Sequence, residues 1–260
     1  MYVHLFIQDL KRLLYIIIIM ETDNKEPITL QKEMVQRLIK DVKQIKKNPL
    51  TEHNIYYHHD EENILKGYAL IIGPENTPYF GGYYLFEINF PVDYPHSPPI
   101  LHFVTNGENI RFNPNLYVNG KVCISLLNTW RGEQWTSCQT ISTVLLTLGT
   151  LFINDPLLNE PGITKLHNDF HKYTNIIAYK NIDIAIINVI QKKPKNYYSK
   201  YSFIQHFDTI IREKFLENKN KIISFIEPKK KNEIELIKTN IYNMSVAIDY
   251  NRLYEKIVLL

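Results

Sequence analysis

Residues Ile110 to Trp135 read IRFNPNLYVNGKVCISLLNTWRGEQW and contain one of the two cysteines of the chain. Asn113-Pro114 favours a turn, because proline fixes its own φ angle and moves the preceding residue out of the helical region. Asn119-Gly120 is a second, strong signal for a tight turn. Two turns this close together predict that the segment folds back on itself.

Asn115 and Cys123 are eight positions apart and would face each other in this folded segment. A cysteine sulfur can carry an acyl group, and the amide of a neighbouring asparagine can stabilise the oxyanion that forms during transfer. The pair therefore favours acyl-transfer chemistry. The structural alternatives are a cysteine that only fills space in a core and an asparagine that only caps its own turn.

One helix and four strands are predicted before this segment. Residues 28–47 have apolar side chains at helical spacing, with Thr29 as the N-cap. The predicted strands are joined by short connections and cover residues 55–59, 65–72, 83–90 and 100–104. This order predicts an α/β (α+β) fold, in which a four-stranded antiparallel meander is flanked by the N-terminal helix and by C-terminal helices.

The C-terminal part of the chain contains no motif that indicates a chemical activity. Its apolar spacing predicts helices over residues 174–190, 203–218 and 232–254. We therefore expect three parts. They are an N-terminal extension over residues 1–27, a core domain over residues 28–162 and a helical C-terminal region over residues 163–260.

The N-terminal extension contains an apolar run, residues 13–20, that follows two basic residues as in a signal peptide. The run is far shorter than the roughly 20 residues that span a bilayer. Acidic residues follow it where a signal peptide has small residues. We expect a dispensable or docking segment, with Met20 as a candidate start, and no membrane partner.

The composition is that of an ordinary globular protein, with 45% hydrophobic and 22% charged residues. Two cysteines provide no disulfide framework, which favours a reducing compartment, cytoplasmic and/or nuclear. The net charge of +3 does not require a nucleic-acid partner, and none is expected.

The nine histidines raise the possibility of a metal site. His167 and His171 have helical spacing but lack the glutamate of the His-Glu-x-x-His motif. His58 and His59 are neighbours on a predicted strand and would point to opposite faces. We expect no bound metal and, since no Gly-rich phosphate loop occurs, no nucleotide cofactor.

Further motifs lie in a fixed order along the core. They are Gly73-Pro74, Thr77-Pro78-Tyr79, Gly81-Gly82, Phe90-Pro91, Tyr94-Pro95, Pro98-Pro99, Asn113-Pro114-Asn115 with Gly120 and Cys123, Gln134-Trp135 before residues 140–148, and Asp155-Pro156-Leu157. Over residues 28–162 this order resembles the ubiquitin-conjugating enzymes. Their motif begins with His where this chain has Asn113. That difference, the inserted residues before Trp135 and the C-terminal region resemble an outlying branch of larger members.

The resemblance implies a transferase that accepts ubiquitin as a thioester on Cys123 from an activating enzyme and passes it to a lysine, alone or with a ligase. Asn115 is implied to stabilise the oxyanion, Asp155 to orient the attacking lysine, and Asn113 to brace the loop by hydrogen bonding. No cofactor is expected, because the upstream activating enzyme uses the ATP. The implied partners are ubiquitin or a ubiquitin-like protein, the activating enzyme, a ligase and protein substrates.

The resemblance also places two docking surfaces. The residues that correspond to ligase contacts are Pro95, His96 and Ser137. The residues that could form a basic face for the activating enzyme are Lys32, Arg37, Lys40 and Lys43. Cys138 is expected to be structural or on the surface, and Ser125 lies at the family's gate position.

Three alternatives remain open. A non-catalytic variant could bind ubiquitin or a ligase, although such variants usually lack the cysteine. The chain could instead carry a ubiquitin-like modifier. A cysteine hydrolase would need a histidine base, and His102 is the histidine near the motif.

Overall fold

The computed structural model describes residues 30–195, 200–231 and 233–260. The expected N-terminal extension and the N-cap Thr29 lie outside these residues. Within the described ranges, no helix is both long enough and apolar enough to cross a membrane.

The described chain begins with one helix and a four-stranded sheet. Helix α1 spans Lys32–Lys47, and its buried side chains, which include Met34, Leu38, Val42 and Ile45, recur at helical spacing. The strands are β1 (Ile55–His59), β2 (Lys66–Ile72), β3 (Tyr83–Asn89) and β4 (Ile100–Phe103). They pair antiparallel in the order β1-β2-β3-β4, which confirms the predicted meander and its fold class.

The elements after the sheet are mostly helical. They are α2 (Ile141–Gly149), α3 (Phe170–Lys180), α4 (Asp208–Ile226), strands β5 (Glu235–Lys238) and β6 (Ser245–Ile248), and α5 (Tyr250–Leu259). Helix α3 continues through a π-helical stretch, Asn181–Asn188, into a last turn, Val189–Gln191. The hydroxyl of Thr140 accepts a hydrogen bond from the Thr143 backbone and fixes the start of α2.

The inner face of the sheet packs on the segments that carry the candidate site. The ring of Tyr84 on β3 lies 5.9 Å from that of Phe112 and 4.6 Å from that of Phe152. Phe112 precedes the Asn-Pro-Asn motif, and Phe152 precedes Asp155. The aromatic core of the sheet therefore positions both sides of the site.

The outer face of the sheet is covered by the C-terminal region. Residues His58, Tyr68, Glu87 and His102 are register partners across the four strands. Three side chains from a single short segment contact this row. The contacts are His206 on His58 with ring centroids 3.8 Å apart, Phe203 on Tyr68 at 4.2 Å, and the Tyr201 hydroxyl 3.3 Å from Nε2 of His102. The C-terminal region is therefore packed on the core.

A buried ionic cluster fixes the last helix to α3. Asp183 accepts hydrogen bonds from Lys180 (2.9 Å) and from Arg252 of α5 (2.8 Å). Burial alone would raise the pKa of Asp183, but the charges of Lys180 and Arg252 lower it overall. Lys256 of α5 is a third partner of Asp183, at 3.7 Å, so two cations of the last helix pair with this one carboxylate beside α3.

Two helix predictions in the C-terminal region need correction. The segment predicted as helix 203–218 begins with a 3₁₀ turn, Ser202–Phe207, and becomes α-helical only at Asp208. The helix predicted over residues 232–254 is wrong before Tyr250, where β5 and β6 form a hairpin, and is correct only for the start of α5. Buried and exposed side chains alternate along β6, which is strand periodicity. Tyr242 and Asn243 have positive φ angles of 60° and 51°, which a helix does not allow.

His59 is a buried titratable group on the inner face of the sheet. Its Nδ1 lies 2.7 Å from the hydroxyl of Tyr57, and the residue is 2% exposed. Burial, with a smaller contribution from the charge of Lys46, lowers the pKa of His59 from 6.5 to about 4. The His59 side chain therefore stays neutral in the folded protein at pH values at which it would be protonated in the unfolded chain.

We predict that the free energy of unfolding falls as the pH drops from 6.5 to 4, because only the unfolded state binds a proton at His59 over that window. The contribution from this residue reaches about 3 kcal/mol at the lower end. Urea denaturation at several pH values measures it. His59→Phe should flatten the dependence, whereas His53→Gln, at an exposed position, should leave it as in the wild type. A slope unchanged by His59→Phe would contradict the prediction.

Candidate active site

The segment with the Asn-Pro-Asn motif forms the predicted fold-back. Leu116 forms a β-bridge with Val122, and the amide of Tyr117 donates to the carbonyl of Lys121 (2.9 Å). Gly120 has a φ angle of +87°, and a Cβ atom there would lie 2.0 Å from the His102 ring. Both the backbone angle and the close approach therefore require glycine at this turn.

The fold-back joins Asn115 to Cys123 by two hydrogen bonds. The Cys123 amide donates to the Asn115 carbonyl (2.9 Å), and Nδ2 of Asn115 donates to the Cys123 carbonyl (2.6 Å). A carboxamide nitrogen has two hydrogens, so one remains to stabilise an oxyanion beside the sulfur. Cys123 is 2% exposed and Asn115 is 6% exposed. This geometry holds a donor and a nucleophile together, as acyl transfer requires.

Asn113 is fully buried, and both the nitrogen and the oxygen of its carboxamide form hydrogen bonds. Nδ2 donates to the hydroxyl of Tyr79 (3.0 Å) and to the carbonyl of Leu151 (2.9 Å). Oδ1 accepts from the amide of Asn115 (3.0 Å). One side chain thus connects the residue beside Cys123 to two other segments.

Asp155 lies in a loop that is fastened to Asn113. The turn Pro156–Asn159 follows it, and Nδ2 of Asn159 donates to the Leu151 carbonyl (2.9 Å) and lies 3.4 Å from Oδ1 of Asn113. The Asp155 side chain is 25% exposed, and its Oδ2 lies 2.8 Å from Nζ of Lys165. A carboxylate in this position is accessible to solvent and can hold an ammonium group.

Asn159 and Arg111 support the site but were missed by the sequence analysis. Arg111 donates to the carbonyls of Asn113 and Pro114. Its guanidinium also lies 3.4 Å from the centre of the Tyr117 ring and 4.7 Å from that of Tyr242. Asn159 is a polar residue in an otherwise apolar turn, and this pattern could have indicated its role from the sequence. No local pattern could have indicated the role of Arg111, because its partner Tyr242 lies far away in the sequence.

The inserted residues 125–130 fold against the backbone next to Cys123. The Thr129 hydroxyl accepts from the amide of Ile124 and donates to the carbonyl of Val122, both at 3.1 Å. Ser125 begins a 3₁₀ turn and lies against Gly132. The insertion therefore stabilises the backbone on both sides of Cys123.

The predicted ligase-contact loops lie next to each other. Nε1 of Trp135 donates to the carbonyl of Pro95 (2.7 Å), and both His96 and Ser137 are exposed. Cys138 is also exposed. The indole of Trp135 thus joins the two loops into one surface.

The predicted basic face of α1 divides into two kinds of residue. Lys32, Lys40 and Lys43 are exposed. Arg37 instead binds the buried Asp41 at 3.0 Å and donates to the carbonyls of Ser137 and Gln139. Its guanidinium fixes the loop after Trp135 to α1, so its charge is already engaged inside the protein.

The histidines considered as metal ligands or as a catalytic base lie in surroundings that do not match those roles. Among the residues that the structure describes, no group of three or more His, Cys, Asp or Glu side chains could hold a metal ion. His102, the candidate base of a hydrolase, lies on the outer face of the sheet beside Tyr201 and Gly120. Burial lowers its pKa.

We predict that Asn113→Ala lowers the free energy of unfolding by about 1–3 kcal/mol, because the buried amide of Asn115 then loses its acceptor. Chemical denaturation measures the change. Glu133→Ala alters an exposed residue of the same segment, Ile110 to Trp135, and should change stability by less than about 0.5 kcal/mol. Equal effects of the two substitutions would show that the Asn113 bonds do not hold the loop.

Comparison with known proteins identifies the family of this fold and site. The family model described as ubiquitin-conjugating enzyme matches residues 37–182, more than half of the chain. Relatives named ubiquitin-conjugating enzyme E2 Z occur in several vertebrates. The one from Danio rerio is 36% identical over 184 residues, which cover 68% of this chain and 56% of the relative.

Two further E2 Z proteins give similar figures. The one from Homo sapiens is 37% identical over 180 residues, 66% of this chain and 50% of its own length. The one from Xenopus tropicalis is 38% identical over 164 residues, 62% and 52% of the two chains. This chain therefore spans about half the length of these relatives. The matched family region contains the sheet, the fold-back with Cys123 and the Asp155 loop, and the chain belongs to the ubiquitin-conjugating enzyme family.

Proposed function

We propose that this chain accepts ubiquitin as a thioester on Cys123 from an activating enzyme and transfers it to a lysine, alone or with a ligase. The observation that carries the proposal is the pairing of Asn115 with Cys123, in which Nδ2 of Asn115 donates to the Cys123 carbonyl at 2.6 Å. The family match over residues 37–182 includes both residues.

Charging is a thiol exchange. The thiolate of Cys123 attacks the carbonyl carbon of the thioester on the activating enzyme, and a new carbon–sulfur bond forms. The bond to the sulfur of the activating enzyme breaks, and that sulfur leaves as a thiolate. The remaining N–H of Asn115 stabilises the negative charge on the carbonyl oxygen between these two events.

Transfer of ubiquitin to the acceptor lysine involves Asp155 as well as Cys123. The acceptor ammonium first loses a proton to solvent. The neutral lysine amine then attacks the thioester carbon, an amide bond forms, and the sulfur of Cys123 leaves as a thiolate. Asp155 holds the acceptor ammonium close to the thioester by its charge, and its main contribution is geometric. The amine proton passes to solvent as the amide forms. ATP is consumed upstream by the activating enzyme, so this chain needs no cofactor of its own.

The proposed partners follow from exposed surfaces. The exposed lysines of α1, Lys32, Lys40 and Lys43, form the candidate face for the activating enzyme, which Arg37 supports by fixing the neighbouring loop. The joined loops with Pro95, His96 and Ser137 form the candidate ligase surface. We propose a cytoplasmic and/or nuclear location, where the free thiol of Cys123 stays reduced.

A charging assay tests the proposal. The protein is incubated with activating enzyme, ATP and ubiquitin, and the products are separated on a non-reducing gel with and without thiol. We expect a thiol-sensitive adduct that is lost in Cys123→Ala and kept in Cys138→Ala. No adduct with two different activating enzymes, each supplied with ubiquitin and with a ubiquitin-like modifier, would favour a binding module instead.

We predict that Asn115→Ala slows transfer from the charged enzyme to free lysine by about 10²–10³-fold, because one oxyanion donor is lost. Single-turnover loss of the thioester measures the rate. Glu133→Ala, at an exposed position of the same segment, should transfer at the wild-type rate. A rate for Asn115→Ala within a few-fold of the control would show that this carboxamide does not act on the oxyanion.

A further inference from the structure

We propose that Lys165 occupies the acceptor position on Asp155, so that an incoming lysine must displace it. Nζ of Lys165 lies 2.8 Å from Oδ2 of Asp155. This inference rests on the proposed role of Asp155 as the residue that orients the attacking amine. Lys165 thereby acts as a built-in competitor for the acceptor.

The two side chains can exchange partners. Lys165 is 69% exposed and Asp155 is 25% exposed, so solvent reaches both. An exposed ion pair of this kind is weak. An acceptor can therefore displace Lys165, at a cost that is small but measurable.

The position of Lys165 is set by contacts with the connection between β5 and β6. Lys165 lies in a turn in which the His167 amide donates to the Thr164 carbonyl (3.1 Å). Before this turn, the carboxylate of Glu160 accepts from the hydroxyl of Tyr242. After it, Oδ2 of Asp169 accepts from the amides of Asn240 (2.8 Å) and Ile241 (3.0 Å). The β5–β6 connection thus anchors both ends of the segment that presents Lys165.

The competition is between like charges. An acceptor ammonium and the Lys165 ammonium compete for the carboxylate of Asp155, and the two positive charges repel each other when they are close. An acidic residue beside the acceptor lysine would receive Lys165 as it leaves Asp155. The structure therefore favours substrates in which the acceptor lysine has a neighbouring carboxylate.

Discharge of the charged enzyme to free lysine tests the inference. After charging, ATP is removed and the loss of thioester is followed at increasing lysine concentration. We expect Lys165→Ala to raise the rate at low lysine by about two- to fivefold, the range of a weak ion pair, with an unchanged rate at saturation. Lys165→Arg keeps the charge and should behave as the wild type.

Three controls separate competition from a general change in the site. Lys172→Ala removes a nearby exposed lysine that pairs with Asp169 instead and should have no effect. Discharge to a small thiol, which does not use Asp155, should be equal in all these variants. With Asp155→Asn as the background, Lys165→Ala should no longer increase the rate.

Two peptides test the predicted substrate class. A lysine flanked by glutamates should react faster than one flanked by glutamines, and Lys165→Ala should reduce this preference.

Several outcomes would overturn the inference. These are an unchanged or slower lysine discharge in Lys165→Ala, an increase that persists with Asp155→Asn, or a ubiquitin–Lys165 isopeptide bond with slower thioester loss in Lys165→Ala. In the last case Lys165 would be an acceptor and not a competitor. Failure to form any thioester on Cys123 would overturn the proposed function and this inference with it, whereas normal charging with no Lys165 effect would overturn this inference alone.

Discussion

The carboxamide of Asn113 joins three segments that are distant in sequence. Its oxygen holds the Asn115 amide, and its nitrogen holds the Tyr79 hydroxyl and the Leu151 carbonyl. All of these bonds are buried, where an unpaired polar group costs about 1–3 kcal/mol. The Asp155 loop joins the same network through Asn159. Cys123, Asn115 and Asp155 therefore have their relative positions set by one polar network.

The C-terminal region is part of the support for this network. Its segment near Phe203 covers the outer face of the sheet, and its hairpin reaches the fold-back through the contact between Tyr242 and Arg111. The same hairpin anchors the residues on either side of Lys165. Residues beyond the family core thus contact both the loop that contains Cys123 and the segment that places Lys165 beside Asp155.

Local patterns in the sequence predicted the meander and the fold-back because both depend on neighbouring residues. Asn-Gly and Asn-Pro favour turns through their own backbone preferences, so two of them close together can be recognised from the local sequence. The bond network could not be predicted in this way, since Asn113 and Asn159 are 46 positions apart. The hairpin after α4 was missed because its strands are four residues long and the connection between them, residues 239–244, contains no glycine or proline that would indicate a turn. Arg37 was expected to face solvent, but no local pattern revealed its bond to Ser137.

The central claim is that the sulfur of Cys123 itself carries ubiquitin. Intact-mass measurement of Cys123→Ser after charging tests it most directly, because an ester to a serine oxygen survives thiol but is cleaved by hydroxide. The account predicts a single added ubiquitin, less one water, that resists thiol and whose attachment maps to position 123. An adduct that remains sensitive to thiol in this variant, or one that maps to another residue, would contradict it.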